Sequence, residues 1–113
     1  MVTINNLEWN IIVENSDYDY LGTTSESRLE IHIASVPNTQ VIKRTITHEV
    51  VHAYLYSYGF PKKNFNEEDL CEFIANNIDG ISHISNQVFD EIECRLLQVA
   101  TESVERKLID NIE

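Results

Sequence analysis

The chain has 113 residues, 42% of them apolar, and carries 19 acidic against 8 basic side chains for a formal net charge of −11. That length and apolar content suit one domain with one core and exclude a disordered chain. The acidic balance repels phosphate, which argues against nucleic acid as a direct ligand, and no stretch approaches the ~18 uninterrupted apolar residues of a membrane span.

Leu7 to Val13, with Trp9, Ile11 and Ile12, is rich in strand formers and predicts a strand. Asn15-Ser16-Asp17 predicts a turn, and Tyr18 to Thr24 a second, short strand around Gly22. After a turn at Ser25-Glu26-Ser27, Arg28 to Ala34 alternates. Leu29, Ile31 and Ile33 fall on one face, and Glu30, His32 and Ala34 on the other, the pattern of a half-buried strand.

From Val41 to Tyr58 there is neither Gly nor Pro, which predicts a helix with Asn38 as N-cap and Gly59 as the stop. Ile42, Ile46, Val50, Ala53 and Ser57 form its apolar stripe, and His48 and His52 lie on an adjacent face. Phe60 to Phe65 reads as a loop. Asn66 caps a second helix from Glu67 to about Ile78, which Gly80 should end; Ser82 to Ser85 then links it to a long amphipathic helix from Asn86 onward. The expected architecture is α+β: a small three-stranded sheet packed on three helices. The core is expected at about residues 5–80 and the C-terminal helix at about 86–113. Cys71 and Cys94 form no metal-binding spacing and read as reduced core thiols. The N-terminus, Met-Val-Thr-Ile-Asn-Asn, lacks the basic, apolar pattern of a leader, so a cytoplasmic protein is expected.

The motif that carries chemistry is His48-Glu49-Val50-Val51-His52. On a helix its two imidazoles stand one turn apart on the same face, where they can share one zinc ion, with Glu49 beside it as a general base. Such a site needs a third protein ligand. Glu67, Glu68, Glu72 and His83 are the candidates, and Glu68 and Glu72 share a face of the second helix. The plain alternative for Glu67, Glu68 and Asp69 is the favourable interaction of first-turn acids with the helix dipole.

The run from Thr47 to Gly59, followed by Asn66 to Ala75, resembles the small zinc peptidases of phages and mobile elements. These are related to the ImmA/IrrE-type metallopeptidases and the wider minigluzincins. The resemblance covers about residues 5–80 and implies a zincin-like fold in a bacterial or phage-infected cell. It implies Zn²⁺ as cofactor, held by His48, His52 and Glu68, with Glu72 as a supporting or alternative ligand. The implied reaction is peptide hydrolysis by a zinc-bound water, with Glu49 as base. The substrate, a peptide or protein, would lie along the Arg28 to Ala34 strand near Glu30 and His32. By analogy, it could be a repressor. The alternative is a weak or inactive zinc-stabilised protein that binds a host protein, for which the long C-terminal helix offers a stripe able to pair with another helix or a second copy.

Overall fold

The computed structural model describes residues 1–15 and 20–112, with side chains as far as 93 and at 95. Four strands precede two helices: β1 (Val2–Ile4), β2 (Leu7–Glu14), β3 (Gly22–Ser25), β4 (Glu30–Ala34), α1 (Thr39–Ser57) and α2 (Glu67–Ile112). The strands form one mixed sheet in the order β1-β2-β4-β3. β1 and β3 are antiparallel to their neighbours, while β2 and β4 run parallel, with Ile11 opposite Ile31 and Val13 opposite Ile33.

The expected strands need correction. A strand not anticipated, β1, joins β2 through Asn5 and Asn6, whose φ values of 45° and 67° make the tight two-residue turn that matches strand twist. Leu29, expected within a strand, instead has φ 54° and ends the turn that leads into β4. The turn expected at Asn15-Ser16-Asp17 lies largely outside the described residues.

The second and third expected helices are one. α2 runs unbroken for 46 residues through Gly80, through 82–85 and through Ala100-Thr101. Glycine inside a helix costs about 1 kcal/mol relative to alanine. Burial of Ile81, Ile84, Val88 and Ile92 on the same side outweighs that cost. Gly80 also has a steric role: a Cβ placed there would stand 2.6 Å from the Tyr54 hydroxyl oxygen. The missing side chain is a notch that lets α1 and α2 pack closely.

Both helices cover one face of the sheet. The core joins Val2, Ile4, Trp9 and Ile11 of the first hairpin to Ile31 and Ile33 of β4, Ile42, Ile46, Val50 and Ala53 of α1, and the α2 stripe. Trp9 is wholly buried, and its indole Nε1 donates to Ser57 Oγ at 3.0 Å. Asn5 Nδ2 donates to the Ser57 carbonyl at 2.9 Å, so the hairpin grips the end of α1. Arg95 reaches back from α2 to donate to the Ile11 carbonyl at 2.8 Å.

The expected caps at Asn38, Gly59 and Asn66 are present. Asn38 Oδ1 accepts from Val41 N at 3.1 Å. Beyond α1, Gly59 with φ 70° places its own N–H on the Tyr56 carbonyl and that of Phe60 on the Leu55 carbonyl, a reciprocal C-terminal cap. Asn66 Oδ1 caps α2 by accepting from Asp69 N at 2.8 Å. Cys71 departs from the expectation of a core thiol, since it is exposed on α2; the side chain of Cys94 lies outside the described residues. Among the described residues no helix is long and apolar enough to cross a membrane.

Candidate functional site

His48, Glu49 and His52 all lie within α1, the first of the three helices expected from the sequence. Their side chains differ sharply in environment. Ile46 and Val50 turn the helix onto the core, which leaves Thr45 and Glu49 facing the β3 side of the sheet. The two histidines come next around the helix and stay exposed. Their ring centroids are 5.0 Å apart, at 68° to each other.

Glu49 is the unusual member. It is a carboxylate only 6% exposed, and burial of such a group is costly unless donors face it. The donor is Thr24 of β3, whose Oγ1 lies 2.9 Å from Glu49 Oε1 and 3.2 Å from the Glu49 carbonyl oxygen. Glu49 Oε2 lies 3.9 Å from His48 Nε2. Gly22 makes this approach of β3 possible. A Cβ there would stand 2.7 Å from Thr45 Cγ2 and 3.1 Å from Glu49 Cγ, so any larger residue would push the strand off the helix.

His48, Glu49 and His52 share one open groove of about 700 Å³ with Gly22, Thr23, Thr24, Glu26, Ser27 and Lys62. Its far wall is the β3–β4 hairpin, and Lys62 comes from the loop after α1. Glu26 and Lys62 pair across it at 2.5 Å. None of Thr24, Glu26 or Lys62 was singled out from the sequence. The turn at Ser25-Glu26-Ser27 was legible, but nothing in its spacing relates it to His48, 21 residues further on.

The carboxylates expected to complete a metal site belong to α2. Glu68 and Glu72 are exposed near the start of α2. α2 meets α1 through Lys43 over the Phe89 ring, Tyr54 against Gly80, and Tyr58 edge-on to Phe73. At about 100° per residue, that contact stripe lies roughly 130° around α1 from His48 and His52. These contacts between α1 and α2 thus run along a different stripe of α1 from the imidazoles. Among the described residues, no three His, Cys, Asp or Glu side chains converge where one ion could be held. The two imidazoles fit a divalent metal; the set His48, His52 and Glu68 does not assemble, nor does one with Glu72 or the exposed His83.

Glu30 and His32 also depart from the expected arrangement. β4 is interior, paired on both sides, and cannot accept a further strand. Because Ile31 and Ile33 face the core, Glu30 and His32 project from the opposite face of the sheet, away from α1. There His32 Nδ1 contacts Glu14 Oε1 at 2.5 Å and Nε2 contacts Glu30 Oε1 at 3.2 Å. Burial alone would pull its pKa down, but the hydrogen bonds and charges of Glu14 and Glu30 outweigh this and raise it above 6.5. The edge beside the histidines is β3. Tyr56 meets Trp9 edge-on, with ring centroids 6.0 Å apart.

No family model matches the chain, and no curated protein or solved structure matches it.

Proposed function

We propose that the groove is the active site of a zinc-dependent peptidase, in which His48 and His52 hold the metal and Glu49 is the general base. The observation that carries this reading is the shared opening of two adjacent imidazoles and a buried, oriented carboxylate onto one groove beside an edge strand. The resemblance of 47–59 to zinc peptidases of the ImmA/IrrE type points the same way.

When bound, zinc would supply Lewis acidity to the scissile carbonyl and to water. The chain's own residues do the rest. The Thr24 hydroxyl occupies Glu49 Oε1 and fixes the carboxylate plane, leaving Oε2 towards His48 and the groove. Glu49 takes a proton from the attacking water and returns it to the leaving amine. An extended peptide pairs with the free side of β3, which brings its backbone past the two histidines.

One observation favours a second reading: the described residues present no assembled three-ligand cluster. On that reading the protein is a weak or inactive relative that acts by binding another protein.

The test is metal analysis of protein purified without added metal, joined to hydrolysis of flexible peptides with and without chelator. The peptidase reading expects one bound divalent ion, lost in His48→Ala and His52→Ala, and cleavage abolished by chelator. It also expects Glu49→Gln to retain the metal and lose cleavage. Metal-dependent folding without cleavage would establish the second reading; absence of metal would remove both.

A further inference from the structure

The 19 acidic residues are unevenly placed along the chain. From Ile31 to Asn66 the only one is Glu49, while Lys43, Arg44, Lys62 and Lys63, half of the 8 basic residues, fall in that stretch. α1 opens with no acid in its first turn. The helix that bears the histidines thus belongs to the basic segment of an acidic chain. We propose that Arg44 selects the substrate: the groove takes an extended peptide with an Asp or Glu side chain on the Arg44 side of the scissile bond. This rests on the reading of the groove as a peptidase site and names the substrate class for it.

Three observations support the assignment. First, Arg44, His48 and His52 follow one another at four-residue intervals, so they share one stripe of α1, with about 6 Å of rise at each step. All three are exposed. Second, a hollow of about 400 Å³ continues the groove towards Arg44. Leu21, Arg44 and Thr45 line it, and it shares Gly22, His48 and Glu49 with the groove. β3 follows the same path: Gly22 lies against Thr45, Thr24 bonds to Glu49, and Glu26, just beyond the strand, pairs with Lys62. A peptide aligned on β3 therefore passes Arg44 at one end and the Glu26–Lys62 pair at the other. Third, the two ends differ in charge. Lys62 is matched by Glu26, whereas among the described residues the Arg44 guanidinium has no hydrogen-bonded or ion-paired partner. An unmatched guanidinium presents a fork of N–H donors that fits a carboxylate in bidentate fashion. One helical turn from His48 corresponds to about two residues of extended peptide, at about 3.3 Å each. The net charge of −11 opposes an acidic ligand at long range, but salt screens it beyond about 10 Å, and within the groove the local charge decides.

The test reads the preference and its reversal. A degenerate library of end-blocked peptides is digested by zinc-loaded wild type, Arg44→Gln, Arg44→Glu and Lys62→Met, and the cut sites are sequenced. Wild type is expected to enrich Asp and Glu at one position, about two residues from the cut and on one side of it only. Two matched peptides with Glu or Gln at that position should differ about three- to tenfold in kcat/KM, mostly through KM. Arg44→Gln cuts with the enrichment lost, Arg44→Glu exchanges it for Lys and Arg, and Lys62→Met keeps it. Wild-type cleavage with no acidic preference, a preference that survives Arg44→Gln, or one lost in Lys62→Met would overturn the assignment while leaving the peptidase reading standing. If wild type cuts no peptide in the library, the peptidase reading falls and the role of Arg44 with it. Thermal unfolding of each variant separates a lost preference from a lost fold.

Discussion

Thr24 and Glu49 join the edge of the sheet to the histidine-bearing helix through one hydrogen bond of 2.9 Å, donated by the threonine hydroxyl to a carboxylate that is nearly buried. Removing the donor leaves a desolvated charge with less compensation. Thr24→Val is expected to lose about 1–3 kcal/mol of stability, and Thr24→Ser to recover most of it. Urea unfolding of the three proteins at neutral pH checks this. Equal midpoints for Val and wild type would show that the bond contributes nothing.

Tyr54 and Gly80 give a substitution whose sign opposes helix propensity. Ala for Gly inside a helix ordinarily stabilises by about 1 kcal/mol. Here the added carbon would meet the Tyr54 hydroxyl oxygen at 2.6 Å, and the Tyr54 ring is buried and stacked on Tyr58 with centroids 5.7 Å apart. Gly80→Ala is expected to destabilise by about 1–2 kcal/mol from overpacking. Adding Tyr54→Phe should restore stability. Thermal melts of the single and double variants measure the interaction directly.

Ser57 accepts the only hydrogen bond described for the buried indole of Trp9. Ser57→Ala leaves that N–H unpaired, with an expected loss of about 1–3 kcal/mol. Denaturant titration followed by Trp9 fluorescence reads both the midpoint and the changed environment of the ring.

His32 predicts a pH dependence of stability. Its folded pKa lies above the unfolded value of 6.5, because Glu14 and Glu30 outweigh the effect of burial. The protonated ring therefore adds stability that is fully present below 6.5 and is lost as pH rises through the raised folded pKa. His32→Gln should be less stable than wild type in acid, and the gap should narrow as pH rises above neutrality. A gap independent of pH would mean that the ring acts through packing alone.

The motif helix was legible in the sequence because every level agreed: Asn38 at its start, Gly59 at its end, and a stripe from Ile42 to Ser57 that proves buried throughout. Gly80 is a local breaker set inside a longer pattern. Phe73, Asn77, Ile81, Ile84, Val88 and Ile92 repeat every three or four residues straight across it, and that continuity indicates one helix. β1 was missed because Asn5-Asn6 is a weaker turn signal than Asn-Gly, although Val2-Thr3-Ile4 alternates correctly. At the site, spacing along α1 was sufficient for His48, Glu49 and His52, since one helix carries all three. Thr24, Glu26 and Lys62 come from other segments. Their placement depends on strand order and on the side of α1 that α2 occupies, neither of which a linear pattern encodes.

The sheet is short at both margins, with three residues in β1 and four in β3. Unpaired backbone at a sheet boundary tends to recruit further chains, and brevity is one way natural proteins curb that growth. At about 3.3 Å per residue, β3 offers a docking length of about 13 Å. Whatever aligns there is registered over only about four residues, so selectivity must come from a few side-chain positions rather than from a long backbone match.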